Sequence, residues 1–321
     1  MKKSTRVNHP PPVELAADNH PVVPPIYQSV KFEFDSLEET ERYLRGERPG
    51  FFYTRASNPT TRQLELLLAE MQGREECLVT ASGVGAVAQA LLALTKQGDH
   101  ILCFVETYNP TRYLIRRLLG RFGVTHTMLS IEDVAGIERA LAAHPTRLVW
   151  FESPTNPMTK VADIPAITRL AKKAGALVVM DNTFAGLHQH GEYDIDVFAH
   201  SLTKYASGAG DVLGGAVIGR GELIRSLRMD FGALGGTLDP HAAFHSPPLR
   251  RRARGRGCVD GPRRVTLGPC ISTPPVIRST PAPSRWDSSS ATTPSSTSAP
   301  RSSISASGAS SPWAVTSRDP G

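Results

Sequence analysis

From Pro59 to Ile218 the chain alternates between helical and strand-like hydrophobic patterns. Asn58-Pro59-Thr60-Thr61 reads as a helix start, Leu64, Leu66, Leu67, Leu68 and Met71 follow on the helix, and Gly73 ends it. Glu76–Thr80 predicts a short strand, and Ser82-Gly83-Val84-Gly85 opens a helix that runs to Leu94. The same alternation gives strands at His100–Val105, Val124–Leu129, Arg147–Phe151 and Ala176–Met180. Between them lie helices at Pro110–Leu119, Glu132–Ala142 and Ile164–Ala174, the last with Asp163 at its cap and Pro165 in its first turn. Asp196–His200 and Gly214–Ile218 are two further strands. The run Ala176–Met180 is continuously apolar, the mark of a strand covered on both faces. Strands that alternate with helices predict an α/β domain with a mostly parallel, doubly wound sheet.

The pattern stops after Phe244. Residues 245–321 hold 17 Ser, 12 Pro and 11 Arg, with no Lys, Glu, Tyr or Phe. Such a stretch has too little apolar surface to offset the entropy of ordering a chain, so disorder is expected there. Three segments follow: an extended N-terminal arm and first segment over 1–58, an α/β domain over 59–244, and an Arg/Pro/Ser-rich tail over 245–321.

Charge divides at the same place. The whole chain carries a formal +6 and a pI near 9.3, which alone would suggest a nucleic-acid partner. The tail accounts for +8 of this, and residues 1–244 carry −2. The Arg250–Arg256 cluster has no interleaved aromatics, so nucleic-acid binding is not expected. The nearest approach to a membrane span, Ala86–Leu94, is broken by Gln89 and is far short of the roughly 18–20 residues required. Asn8-His9-Pro10-Pro11-Pro12 stands where an export signal needs an apolar stretch. Cys77, Cys103, Cys258 and Cys270 form no CxxC pair, which fits a reducing cytoplasm and no zinc site. His188 and His190 have no third ligand at metal spacing, and no metal is expected.

Three features carry candidate chemistry. Ser201, Thr203 and Lys204 follow a predicted strand. Two hydroxyls two residues apart on an extended segment point the same way, and with the amine they suit a phosphate and an aldehyde, as pyridoxal phosphate requires. A solvated loop has the same composition. Asp181 ends the strand Ala176–Met180, where open α/β sheets bind ligands, and is placed to pair with a pyridine nitrogen; a loop or capping aspartate is the plain alternative. Ser82-Gly83-Val84-Gly85 offers a helix N-terminus to a phosphate, or is only a tight turn.

Together with their neighbours, these segments resemble the Cys/Met-metabolism family of pyridoxal-phosphate enzymes. The matching motifs are Tyr53-Thr54-Arg55-Ala56-Ser57-Asn58-Pro59-Thr60, Ala81-Ser82-Gly83-Val84, Glu152-Ser153-Pro154-Thr155-Asn156-Pro157, Asp181-Asn182-Thr183-Phe184-Ala185 and His200-Ser201-Leu202-Thr203-Lys204-Tyr205. The resemblance spans roughly residues 20–244 and implies the large domain of a fold-type-I pyridoxal-phosphate enzyme. It implies that Lys204 bonds the cofactor aldehyde and shuttles protons. Asp181 then holds the pyridinium, Ser201, Thr203 and the backbone of Gly83 and Val84 bind the phosphate, and Ser82 and Thr183 are further cofactor-binding residues. Tyr108 stacks on the ring and serves the catalysis, and Asn156 lies near the phenolic oxygen. Tyr53 and Arg55 reach a neighbouring subunit's phosphate, in a homotetramer built as a dimer of dimers. Arg suits that contact because its planar fork grips phosphate oxygens.

The implied activity is cytoplasmic trans-sulfuration of a small-molecule amino acid. Tyr108-Asn109-Pro110-Thr111-Arg112 resembles the cystathionine β-lyase branch, so a carbon–sulfur β-lyase is expected. Cystathionine γ-synthase and methionine or cystathionine γ-lyase are the alternatives. The family continues past a segment like Leu238–Phe244 with a domain that supplies an Arg for the substrate carboxylate. Nothing after Phe244 resembles it, which suggests a frameshift near residue 245 and a truncated product with weak or absent turnover.

Overall fold

The structure, a computed structural model, describes residues 18–246 except Ala209. Its centre is a seven-stranded sheet: β1 (Glu76–Thr80), β2 (His100–Phe104), β3 (Thr125–Leu129), β4 (Thr146–Glu152), β5 (Leu177–Asp181), β6 (Val197–Ser201) and β7 (Gly215–Gly219). The order is β1-β7-β6-β5-β4-β2-β3. β3, β2, β4, β5 and β6 are parallel neighbours, and β7 runs antiparallel between β6 and β1. The expected α/β sheet is therefore present. The register sets Glu152 beside Asp181, and Asp181 beside Ala199.

Helices cover both faces, which is why the strands read as unbroken apolar runs. On one face Leu102, Phe104, Val149, Phe151, Val178 and Met180 pack with α2 (Pro59–Gln72), α5 (Val134–Ala143) and α6 (Ile164–Lys173). On the other Ile101, Cys103, Leu148, Trp150 and Val179 pack with α3 (Gly83–Leu94) and the helix begun by α4 (Asn109–Tyr113). Successive residues of one strand thus serve opposite cores. Trp150, Phe104, Phe151 and Phe198 are wholly buried in these cores.

Local signals set the helix ends as expected. The Asn58 side chain accepts the Thr60 N–H, Pro59 occupies the first turn, and Gly73 closes α2 at φ 68°, a left-handed value that suits glycine. Asp163 accepts the Ala166 N–H at the start of α6. The stretch Pro110–Leu119 is helical but not uniform: α4 passes into a π turn over Leu114–Leu118 and a 3-10 turn over Leu119–Phe122. Three helices lie outside the elements that the pattern predicts: α1 (Leu37–Leu44), α7 (Gly221–Leu234) and α8 (Pro240–His245). α1 buries no residue, so no apolar stripe announces it, although Ser36 caps it at the Glu39 N–H.

The part of the arm that the structure describes is tied to the body. Tyr27 N–H donates to Thr60 Oγ1 at 2.9 Å, and Asn58 Nδ2 donates to the Tyr27 carbonyl at 2.8 Å. Residues 1–17 and 247–321, including most of the tail expected to be disordered, lie outside the described residues. Among the described residues, no helix is long and apolar enough to cross a membrane.

Candidate active site

Strand ends place the chemistry at one edge of the sheet. β1, β2, β4, β5 and β6 all finish there, and each is followed by a candidate residue. A cavity of about 270 Å³ opens at this edge. Its walls include Ser82, Gly83, Val84, Tyr108, Glu152, Asn156, Asp181, Thr183, Ser201, Thr203 and Lys204. Ten sequence-predicted residues thus meet in one place from segments up to 122 positions apart. Lys204 is the one cationic side chain among the described lining residues.

One wall is built from backbone and hydroxyls. Ser82 caps α3, its Oγ accepting the Gly85 N–H at 3.0 Å. Gly83 and Val84 begin the helix, so their N–H groups belong to the turn that has no intrahelical acceptor. A Cβ added at Gly83 would lie 2.5 Å from Ser201 Cβ, 2.6 Å from its Oγ and 2.9 Å from its Cα. The close approach of helix and strand therefore requires glycine. Thr203 Oγ1 accepts the Gly214 N–H at 3.2 Å.

The segment carrying Thr203 and Lys204 is not extended, as the spacing argument expects. Residues Leu202–Ala206 coil into a π turn, and Lys204 leaves helical geometry at φ −90°, ψ −118°. Strand alternation cannot then be what aligns Ser201 with Thr203. The coil brings both hydroxyls and the amine to the cavity instead.

The other wall is built from two acids, Glu152 buried and Asp181 half-buried at the end of its strand. Asp181 Oδ1 accepts the Thr183 N–H at 3.0 Å, and Thr183 Oγ1 accepts the Ser201 N–H at 2.8 Å, so Thr183 links the two walls. Burial raises the proton affinity of Asp181, and the bonds from Thr183 oppose it. Glu152 is buried and accepts two backbone bonds, from the Tyr108 N–H and, at 3.0 Å, from the Asn156 N–H. Burial first and the neighbouring Asp181 charge second push its pKa up to about 8, against the two N–H donors and the Arg112 guanidinium.

Glu152 is not among the residues that the resemblance assigns. Its signal was a glutamate closing an apolar run, since β4 extends one residue beyond the expected strand end at Phe151. Gln72 was also missed. Its Oε1 accepts from His200 Nε2 at 2.8 Å and from Asn182 Nδ2 at 3.3 Å. Burial lowers the His200 pKa to about 3, so the ring stays neutral and holds its hydrogen on Nε2. Gln72 thus ties Asn182 and His200, the chain neighbours of Asp181 and Ser201, to α2.

Tyr53 and Arg55 do not join the cavity. Arg55 stacks on Tyr53, with its guanidinium 5.6 Å from the ring centre, and Nη1 donates to the Gly232 carbonyl at 2.9 Å. Their separation from the site is compatible with the expected role in another subunit. His190 Nδ1 bonds Asn182 Oδ1 at 2.8 Å, and among the described residues no group of three metal-ligating side chains forms.

Residues 12–246 match the family described as Cys/Met metabolism PLP-dependent enzyme. The chain belongs to that family. Similar members include L-methionine γ-lyase of Pseudomonas putida, 38% identical over 226 residues, covering 69% of this chain and 56% of the relative. Cystathionine γ-synthase 1, chloroplastic, of Arabidopsis thaliana is 36% identical over 225 residues, covering 70% and 40%. This chain thus spans little more than half the length of the first relative, and less of the second.

The fold agrees. Cystathionine γ-synthase of Xanthomonas oryzae pv. oryzae, solved with aminoacrylate and cysteine, superposes with a TM-score of 0.66 at 33% identity, covering 72% of this chain and 59% of that one. A Campylobacter jejuni structure that carries N'-pyridoxyl-lysine-5'-monophosphate superposes at 0.65 with 30% identity, covering 72% and 66%.

The family's cofactor is pyridoxal phosphate, and the cavity fits it. A glycine-dependent helix start with two hydroxyls suits a phosphate. The half-buried Asp181 carboxyl that faces the cavity suits a pyridine nitrogen, and the lysine amine suits an aldehyde.

Proposed function

We propose that this cavity seats pyridoxal phosphate and that the chain acts at the γ-carbon of a sulfur-containing amino acid, by elimination or replacement. The observation that carries the reading is the convergence of Lys204, Asp181 and the Gly83–Val84 helix start in one cavity. When bound, the cofactor supplies an aldehyde for an amine and a ring that withdraws electrons from the substrate α-carbon.

This chain's residues do the rest. Gly83, Val84, Ser201 and Thr203 hold the phosphate through N–H and O–H donors. Asp181 keeps a proton at the ring nitrogen, and Thr183 orients that carboxyl through its N–H. Tyr108 and Asn156 border the ring from the ends of β2 and β4. Lys204 Nζ would hold the aldehyde end of the cofactor. With substrate in the site, the same Nζ would accept the α-proton and deliver it to another substrate carbon.

The relatives named above are γ-lyases and γ-synthases. The β-lyase expectation, which rested on Tyr108–Arg112, finds no support among them, so γ-chemistry is the better reading. The test is to load the full chain with pyridoxal phosphate and supply cystathionine. Formation of 2-oxobutyrate supports γ-elimination, pyruvate supports β-elimination, and formation of neither with methionine or cystathionine overturns the lyase reading.

We propose also that Tyr53 and Arg55 of one copy complete the phosphate side of another in a homo-oligomer. Mixing Lys204→Ala chains with Arg55→Ala chains should restore part of the activity that each lacks. No restoration in mixed oligomers would count against a shared site.

A further inference from the structure

The sheet divides at the site. β3 lies on one side of β2 and β4 on the other. The chain leaving β2 packs its helix on one face, with Ile115 and Leu119 in that core. The chain leaving β4 packs α6 on the opposite face, with Ile164 and Ile167 in the other core. Two neighbouring parallel strands thus send their following loops apart, and a crevice opens at their ends. Tyr108 stands on the β2 lip and Asn156 on the β4 lip.

One side chain crosses this crevice. The Glu152 carboxyl ends β4, is only 4% exposed, and uses one oxygen on each lip: Oε1 accepts the Tyr108 N–H and Oε2 the Asn156 N–H. Tyr108 has no side-chain bond of its own at the start of α4, and its ring is partly open to the cavity. The carboxyl is therefore a direct tie between that residue and β4.

We propose that Glu152 is a positioning residue that clamps the two lips of the crevice and so fixes the spacing of Tyr108 and Asn156 around the cofactor ring. The proposal rests on the reading of the cavity as a pyridoxal-phosphate site. A carboxyl suits the task because each of its oxygens keeps a lone pair to accept with, whether the group is ionised or protonated. The amide of glutamine keeps one acceptor but presents N–H donors where the second stood, so it can serve one lip only. Alanine serves neither.

The experiment has two arms, both on the full chain. In the cofactor-free protein, amide hydrogen exchange is followed by mass spectrometry for wild type, Glu152→Gln and Glu152→Ala. Exchange should quicken in the peptides that hold Tyr108 and Asn156, at both lips in the alanine variant and at one in the glutamine variant. The sheet peptides should keep their wild-type rates. In the second arm, pyridoxal phosphate is titrated into the same proteins and into the Tyr108→Ala background. Glu152→Ala should weaken binding about tenfold or more, Glu152→Gln should lose less, and in the Tyr108→Ala background Glu152→Ala should cost clearly less than in wild type, the remainder coming from the Asn156 lip.

Unchanged exchange at the lips, exchange raised equally across the sheet, or fully additive losses would each overturn the clamp. A wild-type chain that takes up no cofactor overturns the reading of the site instead, and the exchange arm still decides the clamp.

Discussion

The two walls of the cavity are held by different physics. The wall of Ser82, Gly83, Val84, Ser201 and Thr203 is neutral, made of backbone donors and hydroxyls. Its shape depends on how closely α3 can approach β6, which the missing side chain of Gly83 decides. The wall of Tyr108, Glu152, Asn156 and Asp181 depends on two adjacent carboxyls whose proton affinity burial has raised. The first wall should be sensitive to volume and indifferent to pH. The second should show the reverse.

The largest expected effect tests the acidic wall. Unfolded, the Glu152 carboxyl ionises near its ordinary value of 4.5; folded, it does so near 8. Between these values the folded state binds a proton that the unfolded state has lost, so stability falls as pH rises. At about 1.4 kcal/mol per pH unit, wild type should lose up to roughly 4 kcal/mol between pH 5 and 8 relative to Glu152→Gln. Urea melts of the cofactor-free proteins across that range would measure the difference. A constant difference would show that Glu152 does not titrate there.

Gly83→Ala tests the neutral wall. Overpacking against Ser201 costs about 1–3 kcal/mol, and taken from the cofactor-holding geometry this is a roughly five- to 150-fold loss of pyridoxal-phosphate affinity. The loss should be the same at pH 6 and pH 8.5, by absorbance titration, if this wall is independent of the acids.

Thr183 joins the walls, and Thr183→Val removes the acceptor of the Ser201 N–H while keeping the shape. A buried donor left without a partner costs about 1–3 kcal/mol, so both stability and cofactor affinity should fall together. Affinity alone falling would mean that the link between walls has no structural weight.

The smallest effect is local to the neutral wall. Ser82→Ala removes the cap of α3 and should cost about 1 kcal/mol in a denaturant melt.

The same contrast explains what the sequence made legible. The neutral wall lies in short continuous segments, and its residue types are demanded by local geometry. Gly83 at a strand–helix turn and Ser201-Leu202-Thr203-Lys204 after a strand can be recognised in one dimension. The sheet was also legible, because strands covered on both faces leave unbroken apolar runs such as Val178–Met180.

In the acidic wall Asp181 is legible at the end of its strand, but the tie made by Glu152 is a product of topology. Glu152 meets the Tyr108 N–H across 44 positions of chain only because β2 and β4 are neighbours, a pairing that hydrophobic period does not encode. The same holds for Gln72, which reaches His200 across 128 positions. The π turn at Leu202–Ala206 escaped as well, since nothing in its composition separates it from an extended loop. α1 escaped because it buries nothing, and period is the main signal for a helix.

The central claim is that Lys204 is the residue that holds pyridoxal phosphate. Its most direct test is to mix the full chain with pyridoxal phosphate, reduce with borohydride, digest, and map the added mass by tandem mass spectrometry. The account predicts one stoichiometric phosphopyridoxyl group on Lys204, absent in Lys204→Ala. Stoichiometric labelling of another lysine, or none at Lys204 under saturating cofactor, would contradict it.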